Sequence, residues 1–428
     1  MSHHHGRYET DSYVKLSERL NRYPQGAPPT ELLFKILKIL FKEEEARLVS
    51  LLPIKPFTVK KAASIWKESE KRAKKSLEEL ASRALLVDFE EDGEIFYVLP
   101  PPMAGFFEFS MMRVRDDIDQ RALGELFYQY MNVEEDFIKA LFTDGETQLG
   151  RVFVNEESLN GEAAHVLDYE RATEIIKTAT HMGISLCYCR RKMEYMDRAC
   201  NAPMDICMTF NTSAQALIRH GHARAVDLAE GLDLLDEAYE NNLVQFGENV
   251  RESVNFICNC CGCCCEAMVA ARRFAAMHPI HTSNYLPKVD ADQCSCCGKR
   301  VKLCPVEAMG LISSNNPNNP NSMRAKVDEE ICLGCGVCVR GCPSKGAVVM
   351  VARDKKVLTP LNGAHRAVLM AIERGKLHEL LFDNKVLWSH RALGVFLGAF
   401  IKLPPVKRVL ATEQVRSRFL EGLAARYG

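Results

Sequence analysis

Residues 332–343 read CLGCGVCVRGCP. Thiols at i, i+3 and i+6 on a curled loop can each reach a different iron of one iron–sulfur cube, and a fourth cysteine followed by proline completes the run. Residues 294–305, CSCCGKRVKLCP, carry the same frame with one change. Cys294, Cys297, Cys304 and Pro305 are in register, Arg300 stands where the third thiol belongs, and an extra thiol, Cys296, lies nearby. The two stretches form an internal repeat: VDADQC ending at Cys294 matches VDEEIC ending at Cys332, 38 residues on. Arg300 falls opposite Cys338, so the missing thiol is visible within the one chain.

The duplicated run resembles the bacterial-type two-cluster ferredoxin domain over residues 288–351. In that fold the fourth cysteine of each run ligates the other cluster. The resemblance implies one complete [4Fe–4S] cluster on Cys332, Cys335, Cys338 and Cys304. The other site keeps Cys294, Cys297 and Cys342, with Arg300 in the open corner. Three outcomes stand for that corner: a [3Fe–4S] cluster, a [4Fe–4S] cluster with one iron open or held by Cys296, and an empty site. Three retained ligands argue against emptiness. A cation at Arg300 would raise the potential of a neighbouring cluster, although a surface arginine is the plain alternative.

Ten further thiols fall in two groups. LCYCRRKMEYMDRACNAPMDIC supplies Cys187, Cys189, Cys200 and Cys207; FICNCCGCCC supplies Cys258, Cys260, Cys261, Cys263, Cys264 and Cys265. Adjacent side chains diverge, so the six cannot all face one centre. Three or four would ligate there and the rest turn to a second site. Cysteine-rich sites favour iron–sulfur or zinc, and the neighbouring run favours iron–sulfur; structural zinc and free redox thiols stay open. Arg190, Arg191 and Lys192 would either lower thiol pKa values or form ordinary surface charge. The joint pattern CYCR, ICNCCxCCC and a CP-terminated pair of runs resembles large ferredoxin-domain proteins of strict anaerobes, and more loosely the paired cysteines of heterodisulfide reductases. His181, His220, His222, His278 and His281 flank these groups and read singly as surface or capping residues.

The chain has 428 residues, 18 of them cysteine, and a formal net charge of −1. That balance gives no support to general polyanion binding. Bunched thiols, no apolar leader and no run of 18 apolar residues point to a cytoplasmic, membrane-free, reducing setting. No phosphate loop, dinucleotide fingerprint or serine-nucleophile elbow occurs.

The elements that must position these residues suggest an α+β multidomain chain. Segment 28–103 reads as a winged helix: a helix over 30–49, two more helices turning at Ser69, and a hairpin around Glu91-Asp92-Gly93. Lys71, Arg72, Lys74 and Lys75 could meet DNA phosphates, but the acidic tip (Glu90, Glu91, Asp92, Glu94) favours a protein–protein or intrachain module. A mainly helical cysteine-rich segment follows over 104–287, with both thiol groups placed after helices. The two-cluster ferredoxin domain spans 288–352, and a helical tail spans 353–428. The expectation is an electron-transfer protein or redox subunit of an anaerobic oxidoreductase, with two to four clusters and a redox protein partner. A redox-sensing DNA-binding regulator, an iron–sulfur enzyme with substrate at an open iron, and a trafficking scaffold are the alternatives.

Overall fold

The computed structural model describes residues 11–159, 167–314, 323–344, 346–354, 356–357 and 359–383. The apolar tail around 387–410 and the Asn-rich insert lie outside these residues. The chain is mixed helix and sheet and divides into two compact units. Of the described residues, one unit comprises those within 11–147, 215–223 and 364–383; the other comprises those within 148–214 and 224–363.

In the first unit, the helix expected over 30–49 is two helices, Glu31–Leu40 and Glu43–Ser50. Phe41 is extended and buries its ring, which ends the first helix. Thr30 caps that helix by accepting from the Leu33 amide. Ser69 caps helix Glu70–Ser82 in the same way. Strand β1 (Phe57–Thr58) joins the hairpin β2 (Val87–Glu91) and β3 (Glu94–Val98) in the antiparallel order β1-β3-β2. The hairpin turns on Asp92 and Gly93, both at positive φ (51° and 79°), as a two-residue type I′ loop requires. Its acidic tip is exposed. On helix Glu70–Ser82, Arg72 pairs with Glu44 and Glu68, and Lys74 with Glu78.

The second unit carries helices, as expected from sequence, and also a six-stranded sheet that the expectation of a mainly helical segment left out. Its strands are β4 (Gly150–Val152), β5 (Met182–Leu186), β6 (Asp205–Phe210), β7 (Arg224–Ala225), β8 (Val244–Glu248) and β9 (Phe256–Cys260). Their order is β4-β8-β9-β6-β5-β7, antiparallel wherever paired. β5, β6 and β8 are buried along most of their length, so they lack the in–out alternation that marks a half-exposed strand. Ile184, Met208, Phe210 and Ile257 pack with Ile175 and Ile176 of helix Ala172–Thr178 and with Leu235 and Tyr239 of helix Leu228–Glu240.

The duplicated run forms two small antiparallel sheets in the same unit. β10 (Tyr285–Val289) pairs with β13 (Val348–Ala352), and β11 (Met309–Ser313) with β12 (Met323–Val327). Each repeat is thus a strand, a cysteine loop, a short helix (Lys299–Leu303 or Val337–Arg340) and a strand. The outer strands of the two repeats pair together, as do the inner ones.

Candidate metal centres

The first centre draws on both repeats. Cys304 of the first and Cys332, Cys335 and Cys338 of the second line one small pocket. Its remaining walls include Pro287, Val306, Met309, Val327 and Leu333 and are apolar. The second loop is locked by close backbone approaches. Gly334 sits at φ +71°, and a Cβ there would lie 2.2 Å from the Tyr285 carbonyl oxygen. The Cys335 carbonyl accepts from the Asn155 amide at 2.9 Å, and Arg353 Nη2 donates to the Cys332 carbonyl at 2.6 Å. The Ala308 amide donates to Cys304 Sγ at 3.2 Å. Burial, reinforced by the other thiols, pushes Cys332 up to about 11 and Cys335 up to about 12, and raises Cys338 as well. A cation bound by all four sulfurs would offset that cost.

Around the gapped run, Arg300 is buried at 4 % exposure. Its Nη2 lies 3.5 Å from Cys294 Sγ, and its Nη1 has no hydrogen-bond partner. Cys296 Sγ is 3.8 Å from Cys294 Sγ and donates to the Met323 carbonyl at 2.8 Å. Cys297 is exposed, and Cys342 Sγ donates to the Ser344 carbonyl at 3.1 Å. Arg300 is therefore a buried contact of Cys294 and not a surface side chain.

The ten central thiols gather where three neighbouring strands end. Cys187 follows β5 and caps helix Tyr188–Glu194, which carries Cys189. Cys207 lies in β6 opposite Ser185. Cys258 and Cys260 alternate along β9, and the turn 261–265 leads into helix Glu266–Arg273, capped by Cys265. Both groups thus sit at strand ends and not, as expected, after helices.

The thiols divide four and six. The sulfurs of Cys200, Cys261, Cys263 and Cys264 all lie within 4.8 Å of one another, and this group could hold a metal ion. Among the described residues it is the one His/Cys/Asp/Glu set with that property. A tetrahedral ion with metal–sulfur bonds of about 2.3 Å needs sulfurs about 3.8 Å apart, which small shifts of these side chains would reach. Contact with Cys264 pulls Cys261 down to about 5 despite burial, and burial pushes Cys263 up to about 12.

The other six gather in a loose ring, Cys187 beside Cys189 and Cys207, and Cys258, Cys260 and Cys265 beyond them; Cys265 Sγ donates to Cys260 Sγ at 3.1 Å. Two cations are sealed beside the thiols. Arg190 is 0 % exposed and Lys192 1 %. Arg190 Nη1 and Nη2 donate at 2.7 Å to the carbonyls of Pro203 and Asn259. Lys192 pairs with buried Glu266. Burial opposes the charge on Arg190, and the pull of Cys187, Cys261, Cys207 and Cys260 outweighs it. Burial lowers Lys192 to about 8. Arg191, between them and half-buried, salt-bridges Glu194 at 2.6 Å. Sequence left these three residues equivalent; only the helix face separates them.

Sequence also gave no reason to single out Asn259 or Glu266. Asn259, between two ring cysteines, donates to the Ile206 carbonyl at 2.8 Å and accepts from Gln245 at 3.1 Å. Two of the flanking histidines make contacts away from the thiols. His220 pairs with Asp88 at 2.9 Å, and His222 Nε2 lies 3.0 Å from the Ser82 carbonyl.

Comparison of the chain with protein-family models, with curated proteins and with solved structures finds no match.

Proposed function

We propose that this chain is a multi-centre iron–sulfur electron-transfer protein that serves as a redox subunit or partner of an oxidoreductase. One observation carries the reading: four cysteines from two repeats line a single cavity with otherwise apolar walls. The fit is chemical as well as spatial. The charged donors are all thiols, the walls offer no competing ligand, and the loop glycines hold the backbone at conformations a side chain would disturb. A [4Fe–4S] cluster bound there supplies one-electron transfer. The residues of the chain set its surroundings: the Ala308 amide donates to Cys304 Sγ, and the apolar walls limit water.

The central quartet suits a single tetrahedral iron or zinc ion more closely than a cube, whose thiolates each reach a separate metal. Next to the gapped run, buried Arg300 adds positive charge at Cys294. The N-terminal helices and hairpin are read as a winged helix used for protein contact. The exposed acidic tip and the ion pairs on Arg72 and Lys74 support that use over DNA.

The test is iron and acid-labile sulfide per chain on protein purified without oxygen, together with the EPR spectrum after reduction. Cys335→Ala should remove about four irons and the signal of one reduced cube. A parent protein devoid of sulfide would refute the proposal.

A further inference from the structure

We propose that Cys294 and Cys296 form a redox-active dithiol: Cys294 attacks a small disulfide, Cys296 resolves the adduct, and buried Arg300 holds Cys294 as the attacking thiolate. The inference goes beyond the electron-transfer reading and does not depend on a metal in the Cys304 pocket.

Proximity is the first support. Cys294 Sγ and Cys296 Sγ lie 3.8 Å apart, with only Ser295 between the two residues. Cys296 takes a left-handed backbone, φ +51°, which residues other than glycine adopt rarely. A bend of the chain thus keeps the two sulfurs together, and small side-chain rotations would bring them to the bond length of about 2.05 Å.

Hydrogen bonding is the second support, because it gives the two thiols different roles. Cys296 Sγ donates to the Met323 carbonyl at 2.8 Å, which requires its proton. Cys294 Sγ accepts from Arg300 Nη2 at 3.5 Å. The thiolate is the nucleophile in disulfide exchange, and a guanidinium beside a thiol favours that form. Cys294 is therefore the attacking sulfur and Cys296 the resolving one.

Charge is the third. Arg300 is 4 % exposed, and its Nη1 has no hydrogen-bond partner. A buried cation needs an anion close by, and Cys294 as thiolate supplies one.

Access is the fourth. Cys294 and Cys296 are half-buried, and their neighbours Gln293, Ser295 and Cys297 are exposed, so a small disulfide can reach Cys294. Cys342, a thiol that the repeat would offer to a second cluster, instead donates to the Ser344 carbonyl.

The reaction balances in two steps. The Cys294 thiolate attacks one sulfur of a disulfide RSSR; a Cys294–SR bond forms, the S–S bond breaks and RS⁻ leaves. Cys296 gives its proton to that RS⁻ and attacks the Cys294 sulfur; the internal disulfide forms and a second RS⁻ leaves. Two electrons pass from the dithiol to RSSR, which departs as two small thiols.

The experiment treats the full chain, purified without oxygen, with glutathione disulfide and quenches it with N-ethylmaleimide in denaturant. Trypsin then releases residues 289–299 for mass spectrometry. The expected peptide lacks two hydrogens and carries one maleimide, on Cys297. Absence of an internal disulfide, or a maleimide on Cys294 or Cys296 of the oxidised peptide, overturns the proposal. Cys296→Ser should stop at a glutathione adduct on Cys294; an adduct that forms on Cys296 of Cys294→Ser as fast as the parent reacts overturns the assigned roles. Arg300→Met should slow adduct formation about tenfold, through loss of one charge-assisted contact to the attacking sulfur, and Arg300→Lys should recover most of the rate. An unchanged rate in Arg300→Met overturns the part given to Arg300. If the variants do not fold, the peptide map of the parent decides by itself. Iron and sulfide in Cys335→Ala, read alongside, report on the Cys304 pocket and separate failure of that reading from failure of this one.

Discussion

Replacing Arg190 with methionine should loosen the central thiol site more than any other change of one cation in the chain. The guanidinium ties the Pro203 carbonyl, on the loop between Cys200 and Cys207, to the Asn259 carbonyl, between Cys258 and Cys260. Methionine fills a similar stem volume and donates nothing. Each charge-assisted bond contributes about 1.5–3 kcal/mol, and each carbonyl is left buried, so the pair amounts to roughly 3–6 kcal/mol. A chain of two units need not unfold in one step, so a global midpoint would blur the effect. Amide exchange read by mass spectrometry isolates it. Exchange of the amides in β6 and β9 that open by local unfolding should speed up by about 10²- to 10⁴-fold in Arg190→Met. Arg190→Lys keeps the charge and can reach one carbonyl, and should fall between parent and methionine. An Arg190→Met protein whose β6 and β9 exchange less than tenfold faster than parent would refute this account of the clamp.

Three further outcomes follow from the geometry. Gly262→Ala would set a Cβ 2.7 Å from the Pro305 carbonyl oxygen and 2.9 Å from its Cα, a backbone clash that no side-chain rotation relieves. It should cost about 1–3 kcal/mol and weaken metal retention at both the quartet and the Cys304 cavity, measured by competition with a chelator. His222 is pushed by burial down to about 4, from about 6.5 when free. Its neutral form is favoured by the fold, so its contribution is complete above pH 6.5 and is lost as pH falls toward 4, up to roughly 3 kcal/mol. His222→Gln should therefore flatten the stability–pH curve of the first unit across that window. Arg300→Cys restores the thiol that the second repeat carries at Cys338 and should raise iron content without disturbing the signal lost in Cys335→Ala.

The grouping of Cys304 with Cys332, Cys335 and Cys338 around one space was legible because the spacing is local and the repeat is internal. The hairpin at Asp92-Gly93, the helix start at Thr30 and the turn at Ser69 were legible for a similar reason, since such signals act within a few residues. The central sheet was not. β5, β6 and β8 are buried on both faces, and their short apolar runs read equally well as helix. The four-and-six division of the thiols was out of reach for a further reason. Cys200 joins Cys261, Cys263 and Cys264, while its neighbours Cys189 and Cys207 go to the ring. That choice depends on strand order, which sequence spacing does not encode.

The pairing of β10 with β13 bears on how the protein is made. Synthesis runs from the N-terminus, so all ten central thiols leave the ribosome well before β13 does. Until the second repeat arrives, β10 has no strand partner, and Cys304 has none of the other three thiols of its pocket. The ten earlier cysteines must therefore be kept reduced, or be loaded with metal, by the surroundings in which the nascent chain finds itself. The order of residues along the chain makes the pocket of Cys304, Cys332, Cys335 and Cys338 the last of these thiol groups to be synthesised in full.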